Sequence, residues 1–240
     1  MIAAIDGCRE GWIIAIADRW PSNEPIQLIH AADFTGCISK TVLCRAVMVD
    51  MPIGLPSGST SEARLCDLEA RAMLKGASST IFCAPPRCTL SAKNPAEFQR
   101  VHHAATGKGA GLPVWGIVPK LREVDSTMTQ NPALQERVRE FHPELAWRRC
   151  AGQRSLDSKH TGAGLLRRLS ILNQASPNWL GDTSGLTLPK RFKLDDVLDA
   201  VIGLAVAQAI VDGSPAHCQR RLPPGDPPVD EFGLRMEIWY

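Results

Sequence analysis

Apolar positions in this chain recur with two spacings, one typical of strands and the other of helices. Short apolar and β-branched runs predict strands, and the first two form a hairpin whose turn follows Asp6. Longer segments predict helices that begin at capping residues: Ser59 with Glu62, Asn94, and Ser158. The predicted strands are residues 2–5, 12–17, 26–30, 46–49, 137–142 and 235–239, and the predicted helices are about 61–75, 95–106, 115–129, 158–168 and 194–211.

The order of these elements predicts a three-layer α/β fold in which helices flank a central sheet. A length of 240 residues is enough for one sizeable core. No internal repeat and no long linker interrupts the pattern. We therefore expect a single domain over residues 1–240, with a helical insertion around 59–130.

Composition narrows the classes of function. The chain is 44% hydrophobic and 22% charged, which is typical of a globular protein, and its net charge of +2 does not by itself indicate nucleic acid. The 8 cysteines include no C-x-x-C pair, so we expect reduced thiols in the cytoplasm and no zinc site. The longest apolar stretch, residues 200–211, is too short to span a bilayer, so we expect no membrane partner.

Three common catalytic motifs are absent from the sequence. The segment TGKGAGL lacks the spacing of a phosphate-binding P-loop. There is no G-x-S-x-G nucleophile elbow and no H-E-x-x-H metal motif. The chain therefore does not belong to the commonest nucleoside triphosphatases, serine hydrolases or metalloproteases.

Two carboxylates end predicted central strands. Asp6 follows the first strand and Asp50 the strand at 46–49, and sites in open α/β sheets lie beyond such strand ends. A structural interpretation is open for both, because Asp is also common in turns and loop caps.

A second pair of carboxylates opens the most regular predicted helix, residues 194–211. Asp196 and Asp199 are three residues apart and share a face, as do Asp195 and Asp199, which are four apart. The small residues Gly203 and Ala207 continue this face and would let the helix approach the sheet. The alternative is that the acids begin a solvated first turn.

Four converging carboxylates would repel one another without cations. Asp oxygens suit Mg²⁺ or Mn²⁺, and two such ions can stabilise the attacking and leaving oxygens of a phosphodiester displacement. The sequence therefore predicts a two-ion site with Mg²⁺ or Mn²⁺ on Asp6, Asp50, Asp196 and Asp199.

Other polar residues supply candidates for assisting roles. We assign Glu144 to catalysis beside the four acids. For Glu144 and for the basic residues named next, the structural alternatives are ion pairs and a solvated basic helix face. The candidates for substrate binding are Arg87, Lys120, Arg122, His142 and Lys159.

At these residues the chain resembles the domain of unknown function 429 family, whose members are described as predicted nucleases of RNase H-like fold. The resemblance covers nearly the whole chain. It is carried by the ordered segments IDGCREGW, VDMPIGLP, APPR, PKLREVD, FHPELAW, SKHTGAG and DDVLDA.

The resemblance implies an RNase H-like three-layer fold with a central mixed five-stranded sheet whose first hairpin is antiparallel. The chain is more loosely similar to Holliday-junction resolvases of that fold class. Their acids, on the first strand, the fourth strand and a C-terminal helix, match Asp6, Asp50, Asp196 and Asp199.

Three residues depart from the family pattern. Glu10 replaces a usual Gly beside the first turn, and Pro113 and Trp115 replace polar residues after the G-K-G segment. These departures could change specificity or activity.

We therefore expect a metal-dependent nuclease that binds nucleic acid. The alternatives are a nucleotide-dependent phosphotransferase with an actin- or sugar-kinase-like core, and a scaffold protein that binds nucleic acid without catalysis.

Overall fold

The chain divides into two compact units. A computed structural model describes residues 1–58, 63–74, 80–181, 192–213 and 220–240. Unit 1 comprises Met1–Asp50, Arg137–Arg220 and Trp239–Tyr240, and unit 2 comprises Met51–Glu136 and Arg221–Ile238. Each unit is described separately.

Unit 1 is built on a mixed five-stranded sheet with the order β3-β2-β1-β4-β5. Strand β2 pairs antiparallel with both β1 and β3, whereas β4 pairs parallel with both β1 and β5. This confirms the predicted α/β fold class, including its antiparallel first hairpin. The strands are β1 Ile2–Cys8, β2 Gly11–Ala17, β3 Gln27–Ala31, β4 Val47–Val49 and β5 Val138–Glu140.

The centre of the sheet is buried on both faces, because β1 and β2 are apolar at nearly every position. The helices of unit 1 are α1 Phe34–Lys40, α5 Pro143–Cys150, α6 Gly162–Ala175 and α7 Leu194–Asp212. The predicted helix 194–211 is thus confirmed as α7. A Cβ atom at Gly203 would lie 2.5 Å from the Cβ of Ala4 and 2.7 Å from the ring of Phe141. Glycine therefore lets α7 lie directly on β1.

The predicted cap of the basic helix is wrong by one turn. Helix α6 begins at Gly162, and its N-cap is Thr161, whose hydroxyl accepts the N–H of Gly164 at 3.1 Å. The carbonyl of Ser158 instead accepts the N–H of Thr161 at 3.0 Å. Ser158 therefore belongs to a turn that precedes the helix.

Unit 2 contains the helices of the predicted insertion. They are α2 Leu65–Met73, α3 Pro95–Thr106 and α4 Leu112–Gln130, with 3₁₀ turns at Arg87–Ser91 and Pro132–Glu136. The Asn94 cap predicted for α3 is confirmed, since its side chain accepts the N–H of Glu97 at 2.9 Å. The predicted Ser59 and Glu62 capping box lies outside the described residues.

The C-terminal segment contributes two short strands, β6 Arg221–Leu222 and β7 Ile238–Trp239. The last strand is thus shorter than the predicted 235–239. Among the helices that the structure describes, none is long and apolar enough to cross a membrane.

Candidate active site

Two neighbouring parallel strands carry Asp6 and Asp50 toward one end of the sheet in unit 1. Asp50 directly follows β4, as predicted, whereas Asp6 lies inside β1, which pairs with β2 as far as Cys8, so the predicted turn after Asp6 is wrong by two residues. Ile5 pairs with Val49, and the N–H of Asp50 donates to the carbonyl of Ile5 at 3.0 Å. Side chains alternate along a strand, so Asp6 lies on the same face as Ala4, which packs against α7. Asp6 is only 7% exposed. The strand pairing thus places both acids beside the first turns of α7.

Helix α7 supplies a buried carboxylate that is bonded at both oxygens. The side chain of Asp199 is 1% exposed, and its Oδ1 accepts the indole Nε1–H of Trp147 at 2.7 Å. Its Oδ2 lies 2.6 Å from the ammonium Nζ of Lys159. Asp195, one turn earlier, has its Oδ2 4.0 Å from the same Nζ. We call the group of Asp6, Asp50, Asp199 and Lys159 the acidic centre.

The predicted acid Asp196 makes a different contact. Its Oδ2 accepts the backbone N–H of Lys193 at 3.2 Å, which caps the helix. Its charge still contributes to raising the pKa of Asp6.

Asp6 and Asp50 are both difficult to ionise where they lie. Burial raises the pKa of Asp6 well above its usual range, and the charges of Asp50 and Asp199 raise it further. Burial, followed by the charge of Asp199, raises the pKa of Asp50 to about 7, and Glu144 adds to this shift. Lys159 lowers both pKa values but does not cancel the shifts. Keeping all three acids of the acidic centre ionised is therefore unfavourable with Lys159 as their cation.

The pKa of Lys159 is also shifted by burial and by the charges of the neighbouring acids. Burial alone would lower the pKa of its ammonium, but Asp199, Asp50 and Asp6 outweigh burial and raise it. Lys159 therefore stays charged and is the cation that the described residues place among these acids.

A fixed turn carries Lys159 to this position. The carbonyl of Asp157 accepts a hydrogen bond from Arg168 at 2.9 Å. A Cβ atom at Gly164 would lie 2.1 Å from the carbonyl oxygen of Ser158, so only glycine lets α6 approach the turn this closely. The backbone of the turn is thus held on both sides.

A second ion pair, between Arg168 and Glu144, lies beside Trp147, the residue that donates to Asp199. The guanidinium of Arg168, whose side chain is 1% exposed, binds Oε1 of Glu144 at 2.7 Å. It also lies 5.7 Å from the ring centroid of Trp147. The predicted catalytic Glu144 is therefore linked through Arg168 to the tryptophan that binds Asp199.

The predicted substrate-binding residues are distributed over both units. His142, in unit 1, caps α5 and accepts the N–H of Glu144 at 3.3 Å. In unit 2, Arg122 donates to the carbonyls of Leu90 and Ala92. Arg87 of that unit binds carboxylates, and Lys120 lies on α4 and is partly exposed.

The acids supply oxygen ligands, the type that Mg²⁺ and Mn²⁺ prefer. A divalent cation would offset the repulsion between these acids when they are ionised. The described residues nevertheless include no group of three or more side chains already placed to hold a metal ion. The carboxylate oxygens thus suit Mg²⁺ or Mn²⁺ as ligands. However, Asp199, one of the four predicted ligands, is bound to Lys159 in this structure.

Sequence reasoning gave little weight to Asp195, Trp147 and Arg168, which the structure places close to Lys159, Asp199 or Glu144. The four-residue spacing of Asp195 and Asp199 did indicate a shared face, and both acids do point toward Lys159. Trp147 and Arg168 gave no comparable signal, because a tryptophan and an arginine on helices have many structural uses.

The fold and these residues define an α/β protein with a buried acidic centre at the edge of a mixed sheet. A family model described as "Protein of unknown function (DUF429)" matches residues 5–227, and the chain belongs to that family. No curated protein and no solved structure matched the chain.

Proposed function

We propose that this protein is a metal-dependent nuclease that hydrolyses phosphodiester bonds of nucleic acid. The observation that carries the proposal is the meeting of Asp6, Asp50 and Asp199 at one edge of an RNase H-like sheet. Their raised pKa values or bonded oxygens reflect acids that lie close together, of which Asp6 and Asp199 are buried and Asp50 is partly exposed. Ionising acids that lie this close is costly unless a further cation offsets their charge.

Each residue has a definite part in the proposal. Asp6, Asp50 and Asp199 would hold Mg²⁺ or Mn²⁺, with Asp195 and Asp196 adding negative charge. When bound, such ions stabilise the attacking and leaving oxygens of the phosphodiester. Trp147 fixes the rotamer of Asp199 by donating to its Oδ1.

The test is cleavage of a panel of single strands, duplexes, hybrids and branched junctions by purified protein. We expect turnover with Mg²⁺ or Mn²⁺ and little with Ca²⁺, which accepts more ligands in a looser geometry. Asp6→Asn should lower the rate by about a thousandfold or more, because a ligand charge worth several kcal/mol is lost.

The matched control is Asp18→Asn. Asp18 is exposed and follows β2 at the opposite end of the same hairpin. Equal activity of Asp6→Asn and the wild type would refute the proposal. Hydrolysis of a nucleoside triphosphate without cleavage of any nucleic acid would instead favour the phosphotransferase alternative.

A further inference from the structure

Lys159 lies where a cation bound by Asp199 would lie. Its Nζ is 2.6 Å from Oδ2 of Asp199 and 4.0 Å from Oδ2 of Asp195. The other oxygen of Asp199 is bonded to Trp147. Each oxygen keeps a second lone pair, but a divalent cation on Oδ2 would be repelled by the adjacent ammonium, and one on Oδ1 would crowd the indole. Binding of a cation by Asp199 is therefore favoured by displacement of Lys159 or of Trp147.

Displacing Lys159 is the easier of these two changes. Trp147 is fully buried, so its indole cannot leave without opening the core. The side chain of Lys159 is 31% exposed, and its four-carbon stem can swing into solvent while the backbone stays in place. The turn that carries it is held by Arg168 and by the close approach of Gly164.

We propose that Lys159 is a resident counter-ion that competes with a divalent cation for Asp199. The ammonium neutralises part of the acidic centre in the metal-free protein and is released when the cation binds. This inference rests on the cation of the proposed function but does not require any substrate to be cleaved.

Competition between Lys159 and a divalent cation for Asp199 accounts for two observations. The centre combines several buried acids with one flexible cation, and no metal-binding group is already assembled among the described residues. A lysine that holds Asp199 keeps the acids compatible with folding without metal. It thereby raises the metal concentration that the site needs.

The first experiment measures Mn²⁺ binding by calorimetry in the absence of nucleic acid. Lys159→Met should bind Mn²⁺ about tenfold more tightly than the wild type, since no ammonium has to be displaced. Lys40→Met is the control for lost charge, because Lys40 is exposed at the end of α1 in the same unit. It should bind Mn²⁺ like the wild type.

The second experiment uses the wild-type protein and so does not depend on the folding of a variant. Acetylation of each lysine is followed by mass spectrometry with chelator and with Mn²⁺. We expect Lys159 to react several-fold faster with Mn²⁺, because its ammonium has left Asp199. The rate at Lys40 should not change.

The outcomes separate the inference from the proposed function. Tighter Mn²⁺ binding by Lys159→Met, without nucleic-acid cleavage by any protein, supports the inference and refutes the nuclease. Equal or weaker binding by the variant, an unchanged acetylation rate at Lys159, or no Mn²⁺ binding by either protein overturns the inference.

Discussion

Each unit contains one cation among several acids, but the two groups are built differently. In unit 2 the guanidinium of Arg87 contacts Asp125 at 3.0 Å and Glu231 at 2.9 Å, and it also binds Asp230. The ring of Phe232 lies 4.6 Å from the guanidinium carbon. We call Arg87 with these three acids the arginine cluster. In the acidic centre of unit 1, one ammonium faces three acids and contacts Asp199 alone at hydrogen-bonding distance.

The difference lies in how many acid oxygens are bonded. Asp230 of the arginine cluster also accepts the N–H groups of Leu55, Phe232 and Leu234. In the acidic centre, Asp6 accepts its neighbour's N–H, and within the described residues no donor is bonded to the carboxylate of Asp50. Acids whose carboxylate oxygens accept several hydrogen bonds stabilise a fold. Carboxylate oxygens that accept few hydrogen bonds can bind a ligand.

Breaking the arginine cluster should produce the largest loss of stability. Arg87→Met leaves buried acids without a cation and should lower the free energy of unfolding by about 3–5 kcal/mol. Arg100→Met is the control, because Arg100 is 75% exposed and lies 3.9 Å from Glu97. It should change stability by less than about 0.5 kcal/mol. Urea denaturation measures both, and equal effects would contradict the structural role of Arg87.

Removing the charge of one acid should change the free energy of unfolding in opposite directions in the acidic centre and in the arginine cluster. Asp50→Asn should raise the free energy of unfolding by about 2 kcal/mol at pH 8 with chelator, because the variant no longer desolvates a charge at this position and no longer repels the other acids. Asp125→Asn should lower it, since the variant loses charged hydrogen bonds to Arg87. The same sign for both variants would contradict the comparison.

The pH dependence of Asp50→Asn follows from the raised pKa of Asp50, about 7 in the folded protein. The unfolded carboxyl has a pKa of about 3.9, so the native state binds more protons between roughly pH 4 and pH 7. Wild-type stability should therefore fall as the pH rises through this window. The advantage of Asp50→Asn should be absent near pH 4, grow up to pH 7 and stay constant above it.

The sequence predicted the backbone of the site better than its contacts. The strand that carries Asp6, the strand that ends before Asp50 and the start of α7 followed from apolar runs, because burial of those runs determines the sheet. The end of the first strand did not, since β1 continues past Asp6 to Cys8. The partner of Asp199 could not be predicted in this way. It depends on a turn held by Arg168 and Gly164, and long-range contacts of this kind leave no periodic pattern in the sequence.

The smallest expected effect concerns Trp147, whose contribution can be compared with that of a second buried tryptophan in unit 1. Trp147→Phe removes a donor to the Asp199 carboxylate, whereas Trp179→Phe removes a donor to the amide oxygen of Asn173 at 2.8 Å. Both variants lose the same side-chain volume in buried surroundings. Hydrogen bonds to charged groups are stronger, so Trp147→Phe should cost about 1 kcal/mol more in urea denaturation. Equal costs would mean that Asp199 does not depend on this indole, and the acidic centre would then rely on Lys159 alone to orient Asp199.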